Sequence, residues 1–167
     1  MARKKPAPTA STPALRALER AGVEHEVLEY EHDERSGQGF GVEADEKLGL
    51  DSTVVFKTLM VTLPDESLAA GVVPVAGSLD LRALASALGV KKVVMADPAL
   101  AQRRTGYVLG GISPMGQRHH ATVVIDSSAL ALDQVLVSGG RRGLDVRLTP
   151  QDLVTVTQAR VAPIAAP

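Results

Sequence analysis

The sequence predicts one mixed α/β domain: a mostly antiparallel sheet or open β-barrel surrounded by helices. Three observations predict it. At 167 residues the chain can bury one substantial core, and it contains no internal repeat and no dividing linker. Short β-branched apolar runs and segments of helical spacing are interspersed without the strict alternation of a parallel βαβ fold. Hydrophobic residues make up 45% and charged residues 22%, a balance typical of chains that fold. Aromatic residues reach only 2%, so the core must be built from Val, Leu and Ala.

Residues 1–10 are basic and rich in Pro and Ala, and are expected to form a mobile tail. The domain is expected over 11–160, with 161–167 as a C-terminal tail. Ser11 or Thr12 reads as a helix N-cap with Pro13 in the first turn; Ala14, Leu15, Ala17, Leu18 and Ala21 follow at helical spacing, and Gly22 ends the helix. Residues 23–30 alternate as a strand. Residues 32–41, HDERSGQGFG, are a polar, Gly-rich loop, and 43–48 a short helix stopped by Gly49. Residues 53–63 and 68–75 are strands joined by a turn at Pro64, Asp65 and Glu66, a hairpin. A helix over 78–88 has its capping signal at Ser78 and its stop at Gly89. A short strand follows over 91–95. Asp97 and Pro98 open another helix that ends before Gly106. Residues 105–117, TGYVLGGISPMGQ, form a loop. Strands are expected over 122–125, 134–137 and 146–148, and Pro150 opens a last helix that runs to about Gln158.

Composition excludes several functions. With no cysteine there is no disulfide, cysteine zinc site, iron–sulfur cluster or cysteine nucleophile. His32 beside Asp33, and the adjacent His119 and His120, lack metal-ligand spacing, so neither a metal nor another cofactor is expected. A net charge of −1 and a pI near 6.4 argue against binding nucleic acid through bulk charge. Few aromatic faces argue against a multi-platform single-strand binder. No apolar run suits a secretory signal or a membrane span, and a cytoplasmic location is expected.

Three segments carry candidate chemistry. In VVFKTLMV, over 54–61, alternation places Lys57 opposite Phe56, and the apolar neighbours make a half-enclosed pocket an alternative to a solvated strand face. A lysine there could hold a phosphate or ribose oxygen, or stabilise an oxyanion. Gly110, Gly111, Ile112, Ser113 and Pro114 form a segment whose glycines permit close approach to backbone N–H groups, with the Ser113 hydroxyl beside them. It is neither a P-loop nor a dinucleotide fingerprint, and a plain surface turn is the competing reading. In SGGRRGLD, Ser138 ends a strand and Asp145 begins another. Without GxSxG or a supporting His/Asp set, Ser138 reads as a ligand-bonding hydroxyl rather than a nucleophile, and Asp145 could orient Lys57 or a water. Arg103 and Arg104, Arg118 to His120, and Arg141 and Arg142 are short basic clusters that could meet phosphates if they share a face.

These stretches also carry a resemblance. TPAL, YEHD, FG, KLGL, VFKTL, VVPVAGSLDL, ALGVKKVVMADP, TGYVLGGISPMGQ and VSGGRRGLDVRL occur in this order between Thr12 and about Ala159. The chain thereby resembles the free-standing YbaK-type aminoacyl-tRNA deacylases, which are similar to the editing domain inserted in bacterial prolyl-tRNA synthetases. The resemblance implies a mixed β-barrel with surrounding helices. It implies hydrolysis of the ester in mischarged tRNA, typically cysteine on the proline tRNA, with that tRNA and a prolyl-tRNA synthetase as partners. Deacylases for alanine or serine, and a non-catalytic tRNA- or synthetase-binding module, are the alternatives. The family lysine maps to Lys57, its tyrosine and phenylalanine to Tyr30 and Phe40, and its GxxxP loop to Gly110–Pro114. Its serine and aspartate map to Ser138 and Asp145. Residues 43–46, 118–121 and the basic N-terminal segment depart from the family pattern.

Overall fold

The computed structural model describes residues 11–30 and 52–167. The loop and short helix expected over 32–48, and with them Phe40, lie outside the described residues, as do residues 1–10.

The first helix, α1 (Pro13–Ala21), forms where cap, proline and apolar spacing predict it. Thr12 Oγ1 accepts the Leu15 N–H, and Gly22 closes the helix at φ 68, a conformation that favours glycine. The Thr12 hydroxyl also donates to the Gly139 carbonyl, so the same cap fastens the helix to a distant strand.

The hairpin pairs β2 (Phe56–Thr62) with β3 (Leu68–Pro74) along their full length. It is the centre of a five-stranded sheet with β5 (Val94–Met95), β6 (Thr122–Asp126) and β9 (Arg160–Ala162), in the order β5-β2-β3-β6-β9. The β3–β6 and β6–β9 pairs are parallel and the others antiparallel. A second sheet, antiparallel throughout, orders β1 (Glu26–Glu29), β8 (Leu144–Leu148) and β7 (Val135–Arg141) as β1-β8-β7. A parallel bridge between Val55 and Leu136 joins the two sheets at the start of β2. Among the described residues the strands remain open sheets and do not close into a barrel. Helices α2 (Leu81–Leu88), α3 (Pro98–Thr105) and α4 (Pro150–Thr157) complete the mixed α/β domain.

The core has two apolar layers. Phe56, Met60, Val72 and Ile125 pack with Val135, Val137, Val146 and Leu148 under α1 and α4. On the other side Val61, Val73, Val124 and Ile164 pack with Leu84 and Ala85 of α2. Alternation along β2 therefore sends Phe56 and Met60 one way and Val61 the other.

Two sequence expectations are corrected. Ser78 does not cap a helix: Ser78–Leu79 form β4, paired with β10 (Ala165–Ala166), and Asp80 caps α2 by accepting the Ala83 N–H. Residues 161–167 are not a loose tail. Ile164 is fully buried, and the N–H groups of Ile164 and Ala165 donate to Asp126 Oδ1 at 2.8 and 2.9 Å. Burial opposes ionisation of Asp126, but these bonds and that from Ser128 outweigh it and hold the carboxyl below its ordinary range. Both corrections have one cause. The pairing is long-range, and strands of two or three residues carry no periodicity to read.

Candidate active site

Strand register brings the separated candidate residues to one face. Val55 and Leu136 are bridged in parallel, so Lys57 and Ser138, each two residues further on, leave their strands on the same side. Ser138 is the register partner of Asp145 across β7 and β8, and Asp145 that of Leu28 in β1. Tyr30, two residues beyond Leu28, donates its N–H to the Gly143 carbonyl at 2.9 Å and extends the ladder, which puts its side chain on the Asp145 side. Four residues spread from position 30 to 145 thus share the face turned away from Phe56, Val137 and Val146.

Their environments differ. Lys57 is half-buried and, among the described residues, makes no hydrogen bond or ion pair. Asp145 is 8% exposed, and burial pushes its carboxyl up to about 7. It forms no ion pair with Lys57, so the expectation that it orients the lysine directly is not met in this structure. What Asp145 supplies is a carboxyl that titrates near neutrality, a property suited to proton transfer. Ser138 Oγ accepts the Gly140 N–H at 3.1 Å and has no His or carboxylate partner among the described residues. That arrangement lacks the base a serine nucleophile requires.

The Gly110–Pro114 loop closes the end of the same strand pair. A Cβ on Gly111 would stand 2.7 Å from Arg141 Cα, so only glycine lets the loop lie against β7. Gly116 makes the matching approach to α1, where a Cβ would meet the Pro13 carbonyl oxygen at 2.4 Å. The Tyr107 hydroxyl donates to the Met115 carbonyl at 2.6 Å, and Gln117 Nε2 donates to the Ser113 carbonyl at 3.0 Å. The loop is thereby buried and fixed from three directions. Gly111 spends its N–H on the Val108 carbonyl, but the N–H groups of Ile112 and Ser113 have no acceptor among the described residues. Ile112 is 8% exposed and Ser113 fully buried, and buried backbone donors are rarely left unpaired unless something else accepts from them.

The Ser113 hydroxyl oxygen accepts the Met115 N–H at 3.2 Å, a bond that shapes the loop. Sequence reasoning missed the clamps, Tyr107, Gln117 and Thr12. Tyr107 and Phe56 are both core residues. Among the described residues no group of three His, Cys, Asp or Glu could hold a metal ion, and no helix is long and apolar enough to cross a membrane.

The described residues thus present an open mixed sheet, a polar face and a buried glycine loop packed against it. A model of the aminoacyl-tRNA editing domain matches residues 41–156, and the chain belongs to that family. Enzymes of this class remove the amino acid from tRNA by cleaving the ester between them; the chain is an aminoacyl-tRNA deacylase. Over 164 residues it is 31% identical to EbsC of Enterococcus faecalis, named as a Cys-tRNA(Pro)/Cys-tRNA(Cys) deacylase, and the match covers 98% of each chain. A crystal structure assigned as a trans-editing enzyme for prolyl tRNA synthetase is similar at a TM-score of 0.82 and 25% identity, covering 95% of this chain and 100% of that one. The hypothetical protein APE2540 matches equally, at 0.82 and 25%, over 92% and 99%.

Proposed function

We propose that the protein acts in trans on Cys-tRNA(Pro), with the substrate thiol as the attacking group. The thiol sulfur bonds to the ester carbonyl carbon, the bond from that carbon to the ribose oxygen breaks, and the thiol proton ends on the ribose oxygen. The observation that carries this reading is the shared face of Lys57, Ser138 and Asp145, which holds polar groups but, among the described residues, no activated nucleophile. An aminoacyl ester is already activated, so orientation and oxyanion donors can supply the remaining catalysis.

Each residue has a role in this reading. Lys57 holds the terminal adenosine or its phosphate and favours the developing negative charge. The unaccepted N–H groups of Ile112 and Ser113 hold the amino acid or its carbonyl oxygen. Tyr30 closes one side of the pocket, and Phe40, outside the described residues, is assigned the other. Ser138 donates a hydrogen bond to the ligand. Asp145 accepts and returns the thiol proton. Prolyl-tRNA synthetase is the partner that presents the mischarged tRNA in the cytoplasm, because a protein of net charge −1 gains little selectivity among tRNAs from bulk charge.

A deacylation panel of cysteinyl-, alanyl-, serinyl- and prolyl-tRNA tests the assignment. Cysteinyl ester should be cleaved fastest and prolyl ester spared. Serinyl ester, close in shape but a poorer nucleophile, should be cleaved far more slowly; equal serinyl and cysteinyl rates would replace thiol attack with attack by water.

A further inference from the structure

A cleft that contains none of the candidate catalytic residues lies beyond the far end of β2, where Arg104, Thr105, Gln117, His119 and His120 meet Met60. We infer that this cleft and its rim bind backbone phosphates of the tRNA acceptor strand, an anchoring surface separate from the ester-cleaving face. The inference rests on the deacylase reading for its choice of RNA.

The backbone builds the surface. Arg118 N–H donates to the Thr105 carbonyl at 2.9 Å and His119 N–H to the Arg104 carbonyl at 3.0 Å. These bonds lay the chain after the glycine loop alongside the last turn of α3. Arg103, Arg104, Arg118, His119 and His120, distant in two sequence clusters, become one patch. Among the described residues none of these five side chains has an ion pair or hydrogen bond, whereas Arg141 and Arg147 on the second sheet pair with Glu29 and Glu26. Cations at the end of α3 complement the helix dipole, which accounts for Arg103 and Arg104 but not for the three residues that follow the loop. In a chain of net charge −1, five adjacent basic side chains without a partner among the described residues are a local device and not a bulk property.

Position selects an extended polyanion over a free anion. Only Arg104, His119 and His120 line the cleft, while Arg103 and Arg118 stand outside it, so one small anion would leave them unused. Gln117 lines the cleft and also donates to the Ser113 carbonyl of the glycine loop. Met60 faces the opposite side of β2 from Lys57, so the cleft reaches the candidate site through Gln117 and the glycine loop. A strand whose phosphates rest on this patch can deliver its 3′ end to that loop.

The test uses the full chain with Arg104→Ala/His119→Ala and measures two reactions: cysteinyl-tRNA, and a cysteinyl ester of adenosine that lacks the backbone. The double variant should raise KM for tRNA about tenfold with kcat within about twofold, and should reduce the salt slope of binding to an unacylated acceptor-stem RNA by about one. It should leave the adenosine ester unchanged. Unchanged tRNA KM and RNA binding would overturn the surface, as would equal losses on both substrates. If inorganic phosphate binds tightly and the variants abolish that binding while sparing RNA, the cleft is a small-anion site and the inference fails. RNA binding is scored without turnover, so a failed deacylase reading would be seen separately as wild-type protein that binds RNA but cleaves neither ester.

Discussion

Ser138 and Asp145 are register partners across β7 and β8, and the Val55–Leu136 bridge brings Lys57 from β2 to the same face. The hydroxyl, the buried carboxyl and the ammonium come from three strands and are held by main-chain pairing. Their relative placement depends on strand register and not on a flexible loop.

Lys57 is the residue whose loss should cost most activity and least stability. It is half-buried and has no partner to leave stranded among the described residues. Lys57→Ala should lower deacylation by about 10²-fold or more, on the scale of one lost oxyanion donor, with unfolding free energy within about 0.5 kcal/mol of wild type. Lys57→Arg keeps the charge but spreads it over a planar group and should recover only part of the rate. Single-turnover kinetics and a urea melt check both; a wild-type rate in the alanine variant removes Lys57 from the mechanism.

Asp145 should leave a signature in stability against pH. Its folded-state value is raised to about 7 from 3.8, so the unfolded chain loses this proton first as pH rises. Below the ordinary carboxylate range both states are protonated and Asp145 makes no difference. Stability then falls as pH rises through the window up to about 7 and levels off above it. Asp145→Asn should abolish that loss, so the Tm advantage of the variant should grow from acid to neutral pH. The same variant should remove the limb of the rate profile that titrates near neutrality. A constant Tm difference across the window would contradict a carboxyl raised by burial.

Tyr107 holds the loop through one bond. Tyr107→Phe keeps the ring in the core but deprives the Met115 carbonyl of its donor at 2.6 Å. A buried acceptor left unpaired costs about 1–3 kcal/mol. Hydrogen exchange should quicken across 110–117 more than in β2 and β3, and kcat should fall more than KM rises.

Gly111 is fixed by space. An added methyl would press on the Arg141 backbone at 2.7 and 2.9 Å, where no side-chain rotation relieves the contact. Gly111→Ala should destabilise by about 1–3 kcal/mol and displace the Ile112 and Ser113 N–H groups. Denaturant unfolding and deacylation rates should both report the change; a stable, fully active variant would show that the loop does not need this approach.

Much of the fold was legible in the sequence because its signals are local. Thr12 with Pro13 and Asp97 with Pro98 specify helix starts, Gly22, Gly89 and Gly106 their ends, and β-branched runs the long strands. The family resemblance pointed to Lys57, Ser138, Asp145 and the glycine loop.

By itself, then, the sequence determined which residues are apolar, where helices begin and end, and which residue types are available for chemistry. Tertiary structure alone decided that the last strands pair with β4 and β6 and that Asp80 caps α2. It alone buried Ser113 and brought the Arg103–Arg104 pair beside the run from Arg118 to His120. The physical reason is range. Caps, turns and periodicity act within a few residues, whereas register, burial and the environment that raises Asp145 exist only once segments more than a hundred residues apart have packed together.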